Sequence, residues 1–166
     1  MSRAFVKEDT PDLAPLPDLP VSPHPNLVTP RGLQALRDRL AAAQARLADL
    51  RARSDRLDKL PEAAAERDIR YLEARLKSAI LVDPRAHSGN VVAFGHRVTV
   101  EDDQGRRTVW EITGEDEADA HLHRIAPQSP LARALTGAEL GDLVTWQRPA
   151  GATELEILAI EVPDDT

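Results

Sequence analysis

The sequence predicts an α+β protein: an N-terminal antiparallel coiled-coil hairpin, then an antiparallel β-sheet domain with one short helix. Three observations predict it. Apolar residues recur at Leu33, Leu36, Leu40, Ala43, Leu47, Leu50 and Leu57, the alternating three–four spacing of a coiled-coil seam. The spacing resumes beyond Leu60-Pro61 at Ala65, Ile69, Leu72, Leu76 and Ala79. After Pro84 the apolar period drops to two, as in strands.

In chain order, residues 1–27 come first. Pro11, Pro15, Pro17, Pro20, Pro23 and Pro25 interrupt helix and strand alike, which predicts a disordered proline-rich arm. Its Asp12-Leu13-Ala14-Pro15-Leu16-Pro17 stretch reads as a tether or as an extended partner-binding motif. The hairpin is expected over 28–83. Thr29 suits the N-cap, and Pro30 suits the first helical position, where a missing N–H costs nothing. The first helix should run to about Leu57. Leu60 precedes a proline and is pushed toward extended geometry, so Pro61 opens a second helix that ends before Asp83-Pro84. Folding about that break pairs Leu57 with Ala65, Leu50 with Leu72, Leu47 with Leu76 and Ala43 with Ala79. Arms of this length make a finger about 30 Å long at 1.5 Å per residue.

The body is expected over 84–163. Strands are predicted at Val91–Phe94, His96–Val100, Thr108–Thr113, Leu143–Trp146 and Leu155–Ile160. Asp102-Asp103-Gln104-Gly105 reads as a hairpin turn, with Gly where positive φ is needed. Pro130–Leu135 reads as a short helix capped by Ser129 and closed by Gly137.

The 166 residues suit one small domain with an appendage. No apolar run is long enough to span a membrane, and the N-terminus has no secretory pattern. The chain has no cysteine, which excludes disulfides and thiolate metal ligands and fits the cytoplasm. The net charge is −7, unevenly distributed. Residues 31–77 hold 12 basic and 8 acidic side chains; the remainder holds 9 and 20. A basic finger on an acidic body is open to two readings: attraction to nucleic acid or an acidic channel, or an Arg-rich solvated helix surface.

The motifs Val28-Thr29-Pro30-Arg31-Gly32-Leu33, Val91-Val92-Ala93-Phe94-Gly95, Ile112-Thr113-Gly114-Glu115-Asp116-Glu117-Ala118-Asp119 and Ser129-Pro130-Leu131-Ala132-Arg133-Ala134-Leu135 occur in that order. Gly141-Asp142, Pro149-Ala150-Gly151 and Leu155-Glu156-Ile157 follow. From Val28 to Glu161 the chain resembles the GreA/GreB transcription elongation factors, which insert a finger into the secondary channel of bacterial RNA polymerase. The resemblance implies an FKBP-like body docked on the channel rim. It places the polymerase contact on Gln128, Ser129, Pro130 and Leu131; on the residues alone, Ser129 and Pro130 simply start a helix.

The resemblance also implies where chemistry belongs. Cleavage-stimulating members carry Asp-x-x-Glu-Asn at the finger tip, where the acids share a Mg²⁺ with the polymerase active centre. Hard cations take oxygen ligands, and two metals clamp the attacking and leaving oxygens of a phosphodiester. The nearest acids in this chain are Asp55, Asp58 and Glu62, with a proline between the last two and Ala63 in place of Asn. The finger is also roughly two heptads shorter in total than in cleaving members, about 11 Å less reach. Asp58 and Glu62 therefore read first as solvated turn and first-turn residues, and only second as metal ligands.

Other constellations are thinner. His121-Leu122-His123 lacks a third metal ligand. Glu115, Asp116, Glu117 and Asp119 read as a solvated turn or a cation site. The function expected is a polymerase-binding, non-enzymatic elongation factor that inserts its finger into the secondary channel. It either stimulates transcript cleavage or occupies the channel without cleavage, as an inhibitory factor does. It should be monomeric, need no cofactor of its own, meet RNA and DNA only within the elongation complex, and stay off membranes. A prolyl isomerase would need an aromatic-walled pocket, for which the body offers only Phe94, Trp110 and Trp146. A plain coiled-coil adapter would leave the Ser-Pro run and the acidic turn unexplained.

Overall fold

The structure is a computed structural model and describes residues 14–55, 57–87 and 89–164. The finger is built from α1 (Pro30–Ala52) and α2 (Leu60–Ser78). Thr29 caps α1 as its sequence requires: its Oγ1 accepts the Gly32 N–H at 2.9 Å, and Pro30 occupies the first turn. Helix α1 stops at Ala52, short of Leu57. Asp55 Oδ1 accepts the Leu57 N–H at 3.2 Å and Asp58 Oδ1 accepts the Leu60 N–H at 2.9 Å, so both side chains compete with the helix for backbone donors.

That longer turn shifts the seam by about one heptad from the expected register. Leu47 and Leu50 are buried with Ala65, and Ile69 packs on them. Leu72 is instead buried with Leu36 and Val28, with Leu33, Leu40, Ala43 and Leu76 around them. The pairings of Leu50 with Leu72 and Leu47 with Leu76 are therefore not made. Leu57 is 95% exposed and has no place in the seam. The Arg51–Glu66 ion pair at 2.6 Å fits the observed register.

At the base, β1 (Leu27–Val28) and β2 (Ile80–Leu81) form a two-stranded parallel ladder. Before β1, residues 14–26 have no regular secondary structure, but their bonds to finger and body show that this part of the expected arm is no free tether. Residues 1–13, which include Asp12 and Leu13 of the expected motif, lie outside the described residues.

The body is a five-stranded sheet of β3 (Arg97–Asp102), β4 (Arg107–Ile112), β5 (Arg124–Ile125), β6 (Leu143–Arg148) and β7 (Gly151–Glu161), in the order β5-β4-β3-β7-β6. Its pairings are antiparallel except β4–β5, which is parallel. The expected turn joins β3 to β4. Asp102 Oδ1 accepts the Gln104 and Arg106 N–H groups, and Gly105 sits at φ 74°. A register shift between Thr99 and Val100 leaves Leu158 as an extra residue on β7, a bulge that bends that strand against β3. One face holds the core: Val98, Val100, Ile112, Val144, Leu155 and Ile157 pack against Leu131, Ala132 and Leu135 of α3 (Pro130–Leu135).

The strand expected at Val91–Phe94 does not form. Val91 makes an isolated bridge to Glu139, and Val92 exchanges backbone bonds with Ala138 and Gly137. The chain then turns: the His96 Nδ1 accepts the Ala93 N–H at 3.2 Å, and Gly95 adopts φ 86°. Continuing the strand would require a conformation that this turn replaces.

Candidate functional site

At the finger tip, the three predicted acids are not gathered. Asp55 and Asp58 are exposed, each holding a backbone N–H of its own loop. Glu62, in the first turn of α2, is 7% exposed. It is not the solvated residue that its sequence position suggests, whereas the two aspartates are exposed. Among the described residues no group of three or more His, Asp or Glu side chains is arranged to hold a metal ion. What the tip offers to a partner is two exposed aspartates beside Leu57 and the half-exposed Leu60.

The second predicted site divides. Ser129 Oγ accepts the Ala132 N–H at 3.3 Å and caps α3. Pro130 is exposed beside it. Leu131 is 2% exposed and belongs to the core, so it cannot be a surface contact; helix periodicity turns it inward one residue after the proline. Gln128 is partly buried, and its Oε1 is a buried acceptor with no protein donor. Only Gln128, Ser129 and Pro130 remain as the outward edge of this run.

The acidic turn 115–117 is held by finger side chains, while Asp119 stays exposed. The turn is the seat on which the finger stands. Arg75, in the last turn of α2, is 1% exposed; its Nε donates to Asp116 Oδ2 at 2.6 Å and its Nη2 to Glu115 Oε2 at 3.3 Å. The Tyr71 hydroxyl, one turn earlier, donates to Asp116 Oδ1 at 2.8 Å. Burial raises the Tyr71 phenol above its ordinary pKa of 10.0, and donation to Asp116 adds to the rise. From α1, Arg31 Nε meets Glu117 Oε1 at 3.1 Å and its Nη2 meets Glu111 on β4. Thr29 Oγ1 donates to Glu117 Oε2 at 2.7 Å while accepting the Gly32 N–H.

Two glycines permit this closeness. A Cβ on Gly32 would lie 2.3 Å from Glu117 Oε2, and one on Gly114 would lie 2.5 Å from the Leu27 carbonyl oxygen. The sequence held the signal: one arginine at each end of the hairpin base, and four acids at the exit of β4 in a chain whose finger and body carry opposite charge. Treating the acids as an isolated turn concealed it.

Elsewhere on the body, His121 and His123 are exposed. The His123 ring lies 4.7 Å from that of Trp110, which meets Trp146 edge-on at 5.8 Å. Both tryptophans pack against the core and line an open groove with Arg106 and Arg148 rather than a closed aromatic pocket. Buried His96 is held neutral. Burial pushes its pKa below the ordinary 6.5, while its Nε2 lies 3.3 Å from the Pro84 carbonyl oxygen.

A family model described as "Transcription elongation factor, GreA/GreB, C-term" matches residues 87–162. The transcription elongation factor GreA of Alkalilimnicola ehrlichii is 41% identical over 101 residues, 60% of this chain and 64% of that one. GreA of Bradyrhizobium sp. is 43% identical over 94 residues, covering 56% and 60%. The chain thus spans slightly under two thirds of the length of these two relatives. GreA of Nitrobacter winogradskyi is 35% identical over 150 residues, 81% of this chain and 95% of that one.

Proposed function

Because the chain belongs to the GreA/GreB family of transcription elongation factors, we propose that it binds bacterial RNA polymerase through its body and inserts its finger into the secondary channel. There it acts mainly by occupying the channel, and any stimulation of transcript cleavage is weak. It is not itself an enzyme; its effect is on the polymerase's own catalysis. RNA and DNA meet it only inside the elongation complex.

The observation that carries this reading is the tip. Sharing a Mg²⁺ with the polymerase would require two carboxylates presented together, because the second metal must be held beside the first with defined geometry. Glu62 is buried, and Asp55 and Asp58 each commit one carboxylate oxygen to a backbone N–H of the turn. Among the described residues, this donor set does not fit a second metal. The body supports the reading by offering exposed Pro130, with part-buried Gln128 and Ser129 beside it, at the capped start of α3.

The test uses stalled, backtracked elongation complexes. The protein should bind them and alter pausing or initiation while producing few shortened transcripts, and Asp55→Ala/Asp58→Ala should behave as the parent does. Abundant cleavage by the parent, lost in that double variant with polymerase binding intact, would overturn channel occupancy in favour of cleavage stimulation. Absence of polymerase binding would overturn both.

A further inference from the structure

We propose that residues Leu16–Asn26 form a brace across the finger–body junction, fixing the direction in which the finger leaves the body, and that the outer half of this brace releases independently of the inner half. The segment grips the finger at two heights and the body at one. Near the base, Asn26 is 4% exposed, and its Nδ2 donates to the Arg75 carbonyl oxygen at 2.8 Å and to Ser78 Oγ at 3.1 Å. In the middle, Ser22 Oγ donates to Glu115 Oε1 at 2.8 Å, and the other oxygen of the same carboxylate takes Arg75. One body side chain therefore joins brace and α2. Further up the finger, Arg70 bonds both Asp18 Oδ1 at 2.6 Å and the Leu16 carbonyl oxygen at 2.8 Å. Leu19 lies over a cleft of about 340 Å³ between the helices, walled by Ala42, Ala43, Tyr71 and Leu72.

Arg70 and Arg75 are five residues apart, about 7.5 Å along α2. A single attachment leaves a pivot; two attachments at different heights, with a third on the body, oppose tilt. The prolines at positions 17, 20, 23 and 25 suit the segment to this work. Each fixes its own φ, so little freedom is lost when the segment is laid along the helix.

The two halves differ in what holds them. The inner contacts are buried or part-buried. The outer ion pair is open to water, with Asp18 75% and Arg70 38% exposed, and such a pair is weak and screened by salt. The outer half is thus the part that lets go first. In the channel reading, brace attachment sets how the finger is aimed before entry. The brace itself is a property of the isolated chain and is tested without polymerase.

The absence of native cysteine allows spin labels to be placed cleanly at Arg53→Cys near the tip and Glu154→Cys on β7, both exposed. In the otherwise unaltered protein at low salt, the label–label distance should form one narrow peak. Asp18→Ser/Leu19→Ser should lose that narrow peak while the helical circular dichroism stays. About 1 M salt, where the screening length is about 3 Å, should do the same to the parent. Arg70→Ala, which removes the bonds to both Asp18 and Leu16, should lose the narrow peak in the same way. A distribution already broad in the parent, or one as narrow in the variant and in high salt as at the start, overturns the brace. The salt arm decides the matter even if the variant misfolds.

Discussion

At Leu131 and Pro130, neighbours in one short helix, the side chains part company: one lies in the core, the other in solvent. Leu131→Ala should therefore cost about 2–5 kcal/mol in thermal or urea unfolding, the usual cost of a cavity in a packed core. Pro130→Ala should leave stability within about 1 kcal/mol and act only on polymerase capture. Equal effects of the two on stability would mean that α3 is turned differently. His96 gives a pH prediction at the same scale. Its folded pKa is lowered by burial, with the His87 charge adding to the effect. Its contribution to stability is thus complete above the unfolded value of 6.5, and falls as pH drops from there toward the folded pKa. Asp83 and Asp102, held low mainly by Arg85 and by the Arg106 N–H, lose their contributions only below the carboxylate value of 3.8. A urea midpoint that declines between pH 7 and pH 5, and that His96→Asn renders flat over that interval, fits the assignment. A flat parent profile does not.

At the scale of elements, the helix caps, the hairpin turn at Gly105 and four of the five strand positions named from sequence were legible, because each rests on local chemistry. The register of the finger was not. A heptad pattern repeats, so a slip of one heptad preserves apolar facing; the choice falls to the turn, whose length depends on Asp55 and Asp58 competing for backbone donors. The segment Val91–Phe94 misled for a related reason: four apolar residues signal burial, not a ladder, and Gly95 with His96 turns the chain away. The finger register gives a clear contrast. Leu57→Asp should change stability by no more than about 0.5 kcal/mol, as an exposed substitution does. Leu50→Asp, by contrast, should cost several kcal/mol, on the order of 3 or more, because a charge would enter the seam without a partner. Hydrogen exchange along α2 reads the difference. Comparable loss of protection in both variants would restore the shorter turn.

At the scale of the whole molecule, the opposite charges of finger and body are used first against each other. Arg31 and Arg75 on the finger are held by Glu111, Glu115, Asp116 and Glu117 on the body, which makes the junction a compact ionic seat rather than an apolar one. Because the Arg75–Asp116 pair is almost fully buried, at 2% and 9% side-chain exposure, breaking it from one side should be expensive. Arg75→Met should cost about 3–5 kcal/mol, since it strands a buried carboxylate. The chain's single tyrosine reports on the same seat. Tyr71 is raised above 10.0 by burial first and by Asp116 next, while the Arg75 charge partly opposes the rise. An alkaline absorbance titration of the folded protein should therefore place its phenol above the ordinary value, and removing Arg75 should move it further up. The linked stability runs in the same sense: the Tyr71 contribution is complete below pH 10.0 and is lost as pH rises through the higher folded value. A Tyr71 that titrates at or below 10.0 while the protein is still folded, or that falls when Arg75 is replaced, would mean that finger and body do not meet at Asp116.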